Sequence, residues 1–182
     1  MDAMSDKELL ELFREESSHH YAFNLIVRKY QQQVYMHIRR MLIDHDDTND
    51  VVQDTFIKVW SNLINFKEES QLFTWIYRIA TNETLSFLKK KRINFFIPIR
   101  DVENQLLSKV MDSSQVKGDM VQKKLQSALL TLPEKQRLVF NMKYFDNMKY
   151  EDMSAILGTS VGALKASFHL AVKKIEKYIT LG

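Results

Sequence analysis

The 182-residue chain is expected to be all helical, in two small domains joined by a linker, and three observations carry that expectation. Glycine and proline number only four and two, too few for the reversals of a sheet protein. Apolar residues recur three and four positions apart almost everywhere, the period of a helix with one buried face. Helix-opening residues stand in front of most of these runs. The periodic segments fall on either side of one interrupted stretch, which places the domains at residues 1–92 and 121–182 and the linker at 93–120.

Each element has a local cause. Ser5-Asp-Lys-Glu8 is a capping box, so a first helix starts at Ser5. A second, long helix runs from about Tyr21 to Ile43. Asp46, Asp47 and Asn49 gather as caps before a third, which carries VVQDTFIKVWSNLI at residues 51–64. A fourth spans about Ser70 to Arg92. Pro98, Gly118 and the pair Ser113-Ser114 then break the period and mark the linker. Helical pattern returns from about Val121 to Leu130, and Thr131-Leu-Pro-Glu134 opens the next helix with threonine as cap and proline in the first turn. Tyr150, Met153, Ile156 and Leu157 give a short helix one apolar side. Gly158 supplies a left-handed turn, and Ser160 caps a last helix that reaches nearly to the end.

Composition restricts the function. With 45% hydrophobic and 27% charged residues the chain resembles ordinary globular proteins. It has no basic start followed by an apolar run, and no apolar stretch near the roughly 20 residues a bilayer crossing needs. A cytoplasmic location is therefore expected. The absence of cysteine removes disulfides, thiol catalysis and cysteine-based zinc sites. The five histidines, at 19, 20, 37, 45 and 169, are scattered without a partnering carboxylate pattern, so no catalytic site, metal, cofactor or small-molecule substrate is expected. A net charge of +3 means that any nucleic-acid surface is local.

Three surfaces stand out. On the last helix, Leu164, Phe168, Val172, Ile175 and Ile179 form a stripe that must face a core, while Gly162, Ala163, Ala166, His169, Leu170, Lys173 and Lys177 point away. A slim entry and a cationic end suit a helix-turn-helix in a DNA major groove; the alternative is a plain helical hairpin with a solvated lysine face. The third helix is apolar on two sides: Val52, Phe56, Val59 and Leu63 make one stripe, and Ile57, Trp60 and Ile64 make another, beside Asp50, Gln53 and Asp54. Such a helix is central in a bundle or is half of an interface. On the fourth helix, Phe73, Trp75, Tyr77 and Phe87 lie near Arg78, Asn82 and the basic run Lys89, Lys90, Lys91 and Arg92. Rings interleaved with donors and a cationic tail serve single-stranded nucleic acid, or else the rings are core and the lysines a solvated helix end.

The order AFNLIVRKYQQQVY, DVVQDTFIKVW, FKEESQLFTWIYRIATN and, after the linker, TLPEKQRLVFNMKYFDNMKYEDMSAILGTSVGALKASFHLAVKKI resembles the extracytoplasmic-function sigma factors of bacterial RNA polymerase. The resemblance implies a sigma region 2 domain and a sigma region 4 domain, with core RNA polymerase and promoter DNA as partners and an anti-sigma protein, free or membrane-anchored, as restraint. It places Asp50, Gln53, Asp54, Ile57 and Trp60 in the helix that docks on the polymerase clamp. It puts Phe66, Lys67, Ser70, Leu72 and Asn82, with Trp75, Arg78 and residues 89–92, at the minus-ten element, where unpaired bases are captured. It assigns Ser160, Gly162, Ala163, Lys165, Ala166, His169, Leu170, Lys173 and Lys177 to the minus-thirty-five element. The chain departs from the family pattern at Lys165-Ala-Ser-Phe and Leu170-Ala-Val, where recognition arginines are common, and at Thr81, Glu68 and Gln71. Paired guanine contacts from such arginines do not transfer. A helix-turn-helix regulator acting on duplex DNA without polymerase is the rival function, and transcription with purified core enzyme separates the two.

Overall fold

The computed structural model describes residues 4–94 and 120–181, and among them it contains eight α-helices and no strand. Helix α1 (Asp6–Arg14) opens with the expected capping box: the Glu8 amide donates to Ser5 Oγ at 3.3 Å and the Ser5 amide donates to the Glu8 carboxylate at 2.7 Å. Hydrogen bonds from the Ser5 hydroxyl and then its amide hold the Glu8 carboxyl below its ordinary range. A short 3-10 turn leads into α2 (His19–Leu42), whose inner stripe includes Ala22, Ile26, Tyr30, Val34, His37, Ile38 and Met41.

Helix α3 (His45–Leu63) is capped by Asp44, which accepts the amides of Asp46 and Asp47 at 3.0 Å each. The aspartates expected as caps therefore lie in the first turn, where their charge suits the positive end of the helix dipole. Helix α4 (Leu72–Asn94) follows a loop at 64–71. Nearly all of the expected linker lies outside the described residues. Helix α5 (Met120–Leu130) precedes α6 (Glu134–Tyr144), and here one expectation needs correction. The Thr131 hydroxyl donates to the Ala128 carbonyl at 2.7 Å, closing α5 instead of capping α6, while Pro133 immediately precedes α6. The Ala128 carbonyl, which also accepts the Thr131 amide at 3.2 Å, lies within the hydroxyl's reach, and Pro133, just before α6, has no amide hydrogen to leave unpaired.

Helices α7 (Tyr150–Leu157) and α8 (Val161–Leu181) meet at a sharp turn. Gly158 has φ +61° and donates its amide to the Ser154 carbonyl at 2.9 Å, and the Ala163 amide donates to Ser160 Oγ at 3.3 Å. Leu164, Ala171 and Ile175 are buried on α8, with Phe168 and Val172 half-buried beside them. Ile179, expected on the inner stripe, is exposed together with all of residues 176–180. Residues 176–180 bury none of their side chains, so periodicity alone overstates the buried length.

Helices α1–α4 form one bundle, and α5, α6 and α8 enclose a smaller core of Ala128, Leu129, Leu132, Phe140, Ala171 and Ile175. The two groups touch. Helix α6 packs on α2 and α7 packs on α4, and Leu138, Val139, Met142, Met148, Met153, Ile156 and Leu164 continue the larger core of the first bundle.

The turn makes a direct prediction. Gly158→Ala meets no steric neighbour but forces a side chain into the left-handed region, which costs about 1 kcal/mol. Gly162→Ala also meets open space and has no such backbone constraint, so it leaves stability unchanged or raises it by a few tenths of a kcal/mol. Urea unfolding of the two variants against the parent measures the difference.

Candidate nucleic-acid interface

Helix α3 is not a central helix. Val51, Thr55, Phe56, Val59 and Leu63 face the bundle, whereas Ile57 is 54% and Ile64 56% exposed, with Asp50, Gln53 and Asp54 exposed alongside. An apolar strip edged by carboxylates on an open helix face is the arrangement of a docking surface. Trp60 turns toward α1 and α2. It is half-buried among Phe13 at 5.6 Å, His20 at 5.0 Å and Phe23 at 5.0 Å between ring centres, so it ties α1 and α2 to α3.

The loop from α3 to α4 is braced from two directions. Phe66 is nearly buried against Trp75, 5.0 Å away, and Leu72 is buried at the start of α4. Glu68 adopts φ +57° and is ion-paired with Arg14 of α1. Lys67 remains exposed and Ser70 is half-buried. The α4 rings expected as a stacking platform divide: Phe73, Trp75 and Phe87 are half-buried, and Tyr77 is buried. Tyr77 is 2% exposed, lies 4.3 Å from Phe73 and 4.8 Å from His37, and donates its hydroxyl to the Gln33 carbonyl at 3.1 Å. Burial pushes the Tyr77 hydroxyl pKa far above its ordinary value. Tyr77 is core because α4 packs against α2, α3 and α7.

The polar residues of α4 divide. Asn82, Lys89 and Lys90 are exposed. Arg78 donates to the Ala155 carbonyl on α7, Lys91 pairs with Asp47, and Arg92 pairs with Glu134 on α6 at 3.0 Å. On α8 the outward face is open as expected: Gly162, Ala163, Lys165, Ala166, His169, Leu170, Lys173 and Lys177 are all exposed. The Lys165 ammonium lies 5.7 Å above the Tyr150 ring, and Ser160 serves as a cap.

One cluster, at the contact between α2 and the turn from α6 to α7, has no counterpart in the sequence pattern. Asp146 pairs with Arg40, and its other oxygen lies 3.4 Å from Nδ1 of the fully buried His37. His37 Nε2 is 3.0 Å from Thr81 Oγ1 on α4. Asn141 of α6 donates to the Met41 sulfur at 3.5 Å. The position of His37 on the stripe through Tyr30, Val34 and Met41 signals that it is buried; nothing in the pattern names its partner.

The comparisons with known proteins agree with this geometry. Residues 26–93 match the Sigma-70 region 2 family and residues 122–175 match the Sigma-70 region 4 family, together roughly two thirds of the chain. The chain belongs to the extracytoplasmic-function sigma factors. Similar relatives include the sigma factor SigW of Bacillus subtilis, 28% identical over 166 residues covering 87% of this chain and 89% of that protein. The sigma-E factor of Haemophilus influenzae is 28% identical over 186 residues covering 98% of this chain and 97% of that protein. Among solved structures, CnrH bound to the cytosolic domain of CnrY has a TM-score of 0.71 at 23% identity and covers 99% of each chain. RpoE of Bartonella quintana bound to the anti-sigma factor NepR has a TM-score of 0.67 at 22% identity, covering 87% of this chain and 96% of that one. These likenesses place the sigma factor's fold.

The different burial of Trp60 and Ile57 separates their roles. In this sigma factor, Trp60→Ala is expected to cost about 3 kcal/mol of stability by opening the aromatic cluster, whereas Ile57→Asp changes stability by less than about 0.5 kcal/mol. Thermal melts followed by circular dichroism check both.

Proposed function

We propose the following division of labour for a chain that, as an extracytoplasmic-function sigma factor, directs core RNA polymerase to promoters and initiates transcription. The carrying observation is the presence in one chain of an open apolar and acidic face on α3 and a helix-turn-helix at α7–α8. A regulator reading duplex DNA alone needs only the second. Residues 1–92 act as the polymerase-binding and strand-opening half, and residues 121–182 as the half that reads the upstream element. The protein works in the cytoplasm, without cofactor or chemistry of its own.

Ile57 and Ile64, with Asp50, Gln53 and Asp54, form the polymerase-docking face. Burial of the two isoleucines drives association, and the carboxylates set register and on-rate against a basic partner. Strand opening trades base stacking for contacts on protein. Asn82 offers a donor and an acceptor to an unpaired base edge, while Lys89 and Lys90 hold the backbone. The loop 64–71 supplies the neighbouring wall, kept in place by Phe66 on Trp75 and by Arg14 on Glu68.

On α8, Gly162, Ala163 and Ala166 let the helix approach base edges closely. Lys165, Lys173 and Lys177 contact phosphates, which positions the helix without specifying sequence. Ala163, Ala166 and Leu170 are suited to thymine methyl groups, so the upstream element is read more through A·T pairs than through guanine. An anti-sigma protein that covers polymerase-binding surfaces restrains the factor.

Transcription with purified core polymerase tests the whole scheme: start-site-specific RNA must depend on this protein. Asn82→Ala is expected to lower open-complex formation about tenfold, the worth of roughly one good hydrogen bond to a base, with partial rescue on a pre-melted template. Permanganate reactivity of promoter thymines reports it, and unchanged reactivity contradicts the role. Lys173→Ala with Lys177→Ala is expected to weaken binding to all promoters alike and to reduce the slope of log affinity against log salt by about two. Ile57→Asp is expected to weaken core-polymerase binding more than tenfold in a protein that melts normally.

A further inference from the structure

We infer that Arg14, at the end of α1, is a positioning residue for base selection in strand opening. Through Glu68 it holds the tip of the loop 64–71 in one conformation, and that conformation decides which unpaired minus-ten base the loop accepts. The inference rests on the role proposed above for this loop and adds a selectivity determinant on a helix that carries no minus-ten residue. The loop is anchored at both ends and nearly free between them. Phe66 is nearly buried against Trp75, and Leu72 is buried where α4 begins, while Lys67, Glu68, Glu69 and Gln71 are exposed. Among the described residues, no hydrogen bond or ion pair holds residues 67–70 other than the one between Glu68 and Arg14. Glu68 has φ +57°, a left-handed conformation that is strained for a side chain and free for glycine. It is also one of the positions where the chain departs from the family pattern. Glycine would release the strain; glutamate retains it and offers Arg14 a carboxylate to hold.

The other end of this tether is firm. Leu9, Leu10 and Phe13 of α1 are buried, and Phe13 meets the Trp60 ring. Asp6 accepts from the Tyr30 hydroxyl at 2.6 Å and from the Lys29 ammonium at 2.7 Å, which ties the start of α1 to α2. Arg14 therefore extends from a fixed support, and its planar guanidinium holds a carboxylate directionally. The two side chains are 53% and 41% exposed, so their pairing adds little to global stability. What it changes is the spread of conformations open to the loop tip. A tip already held in its binding conformation loses less entropy on capturing a base, and it discriminates among bases more sharply than a loose one.

The test is initiation by the full-length chain with core polymerase on promoters that carry each base in turn at the minus-ten positions. The parent is expected to favour one base at the captured position. Arg14→Ala is expected to reduce that preference about threefold, the range of one exposed ion pair, while the melting temperature moves by less than about 2 °C. Arg14→Lys is expected to recover part of the preference. Glu68→Gly is expected to lose it as Arg14→Ala does, yet to melt at the parent's temperature or about 2 °C above it, because the left-handed strain is relieved. Selectivity lost in a protein of equal or greater stability is not the result of a purely structural role. Salt separates positioning from direct contact with DNA: the slope of log affinity against log salt is expected to be the same in Arg14→Ala as in the parent. A slope smaller by about one on all promoters makes Arg14 a phosphate ligand and overturns the inference. Unchanged base preference in folded Arg14→Ala and Glu68→Gly overturns it too, and leaves the initiation role standing, since promoter-dependent RNA from the parent chain decides that role by itself.

Discussion

The structure depends on the burial of one side of α4 beneath α2. Tyr77 fills the centre of that contact, with its ring against His37 and its hydroxyl on the Gln33 carbonyl. Thr81, one turn further, holds the other edge of His37. A buried hydroxyl and a buried imidazole are costly unless partnered, so these bonds fix the rotation of α4 about its axis. That rotation turns Asn82 outward and aims Arg78 at α7. It also sets the position from which Trp75 supports Phe66 and the loop before α4.

The first helix plays a supporting part that its length understates. Leu9, Leu10 and Phe13 are buried, and Phe13 reaches the Trp60 ring on α3. Arg14 at its end pairs with Glu68, a non-glycine residue in left-handed conformation. One short element thus stiffens both α3 and the loop before α4. Exposed ion pairs contribute little to stability, so the value of Arg14–Glu68 lies in the position of the loop.

Much of the fold was legible because its causes are local. The Ser5–Glu8 box, the left-handed Gly158 and the Ser160 cap each act within one helical turn, and each is where the sequence placed it. The outward face of α8 was legible for the same reason, since a 3.6-residue period sorts side chains without reference to any partner. The α3 residues were less decided: two apolar stripes are compatible with a central helix or an open face, and only packing shows Trp60 turned to Phe23 and Ile57 left to solvent. Thr131 was misjudged because two helix ends compete for one hydroxyl, and the outcome depends on where α5 stops.

The sequence by itself determined the helices, their caps, the turn between α7 and α8, and the family motifs, because each is set by neighbours a few residues away. Only the tertiary structure decided that Tyr77 is core, that Ile179 lies beyond the buried stripe, and that Asp146 meets Arg40 and His37. Those outcomes join residues as far apart as 37 and 146, and a period of 3.6 residues states which face of a helix is apolar but not which other helix will cover it.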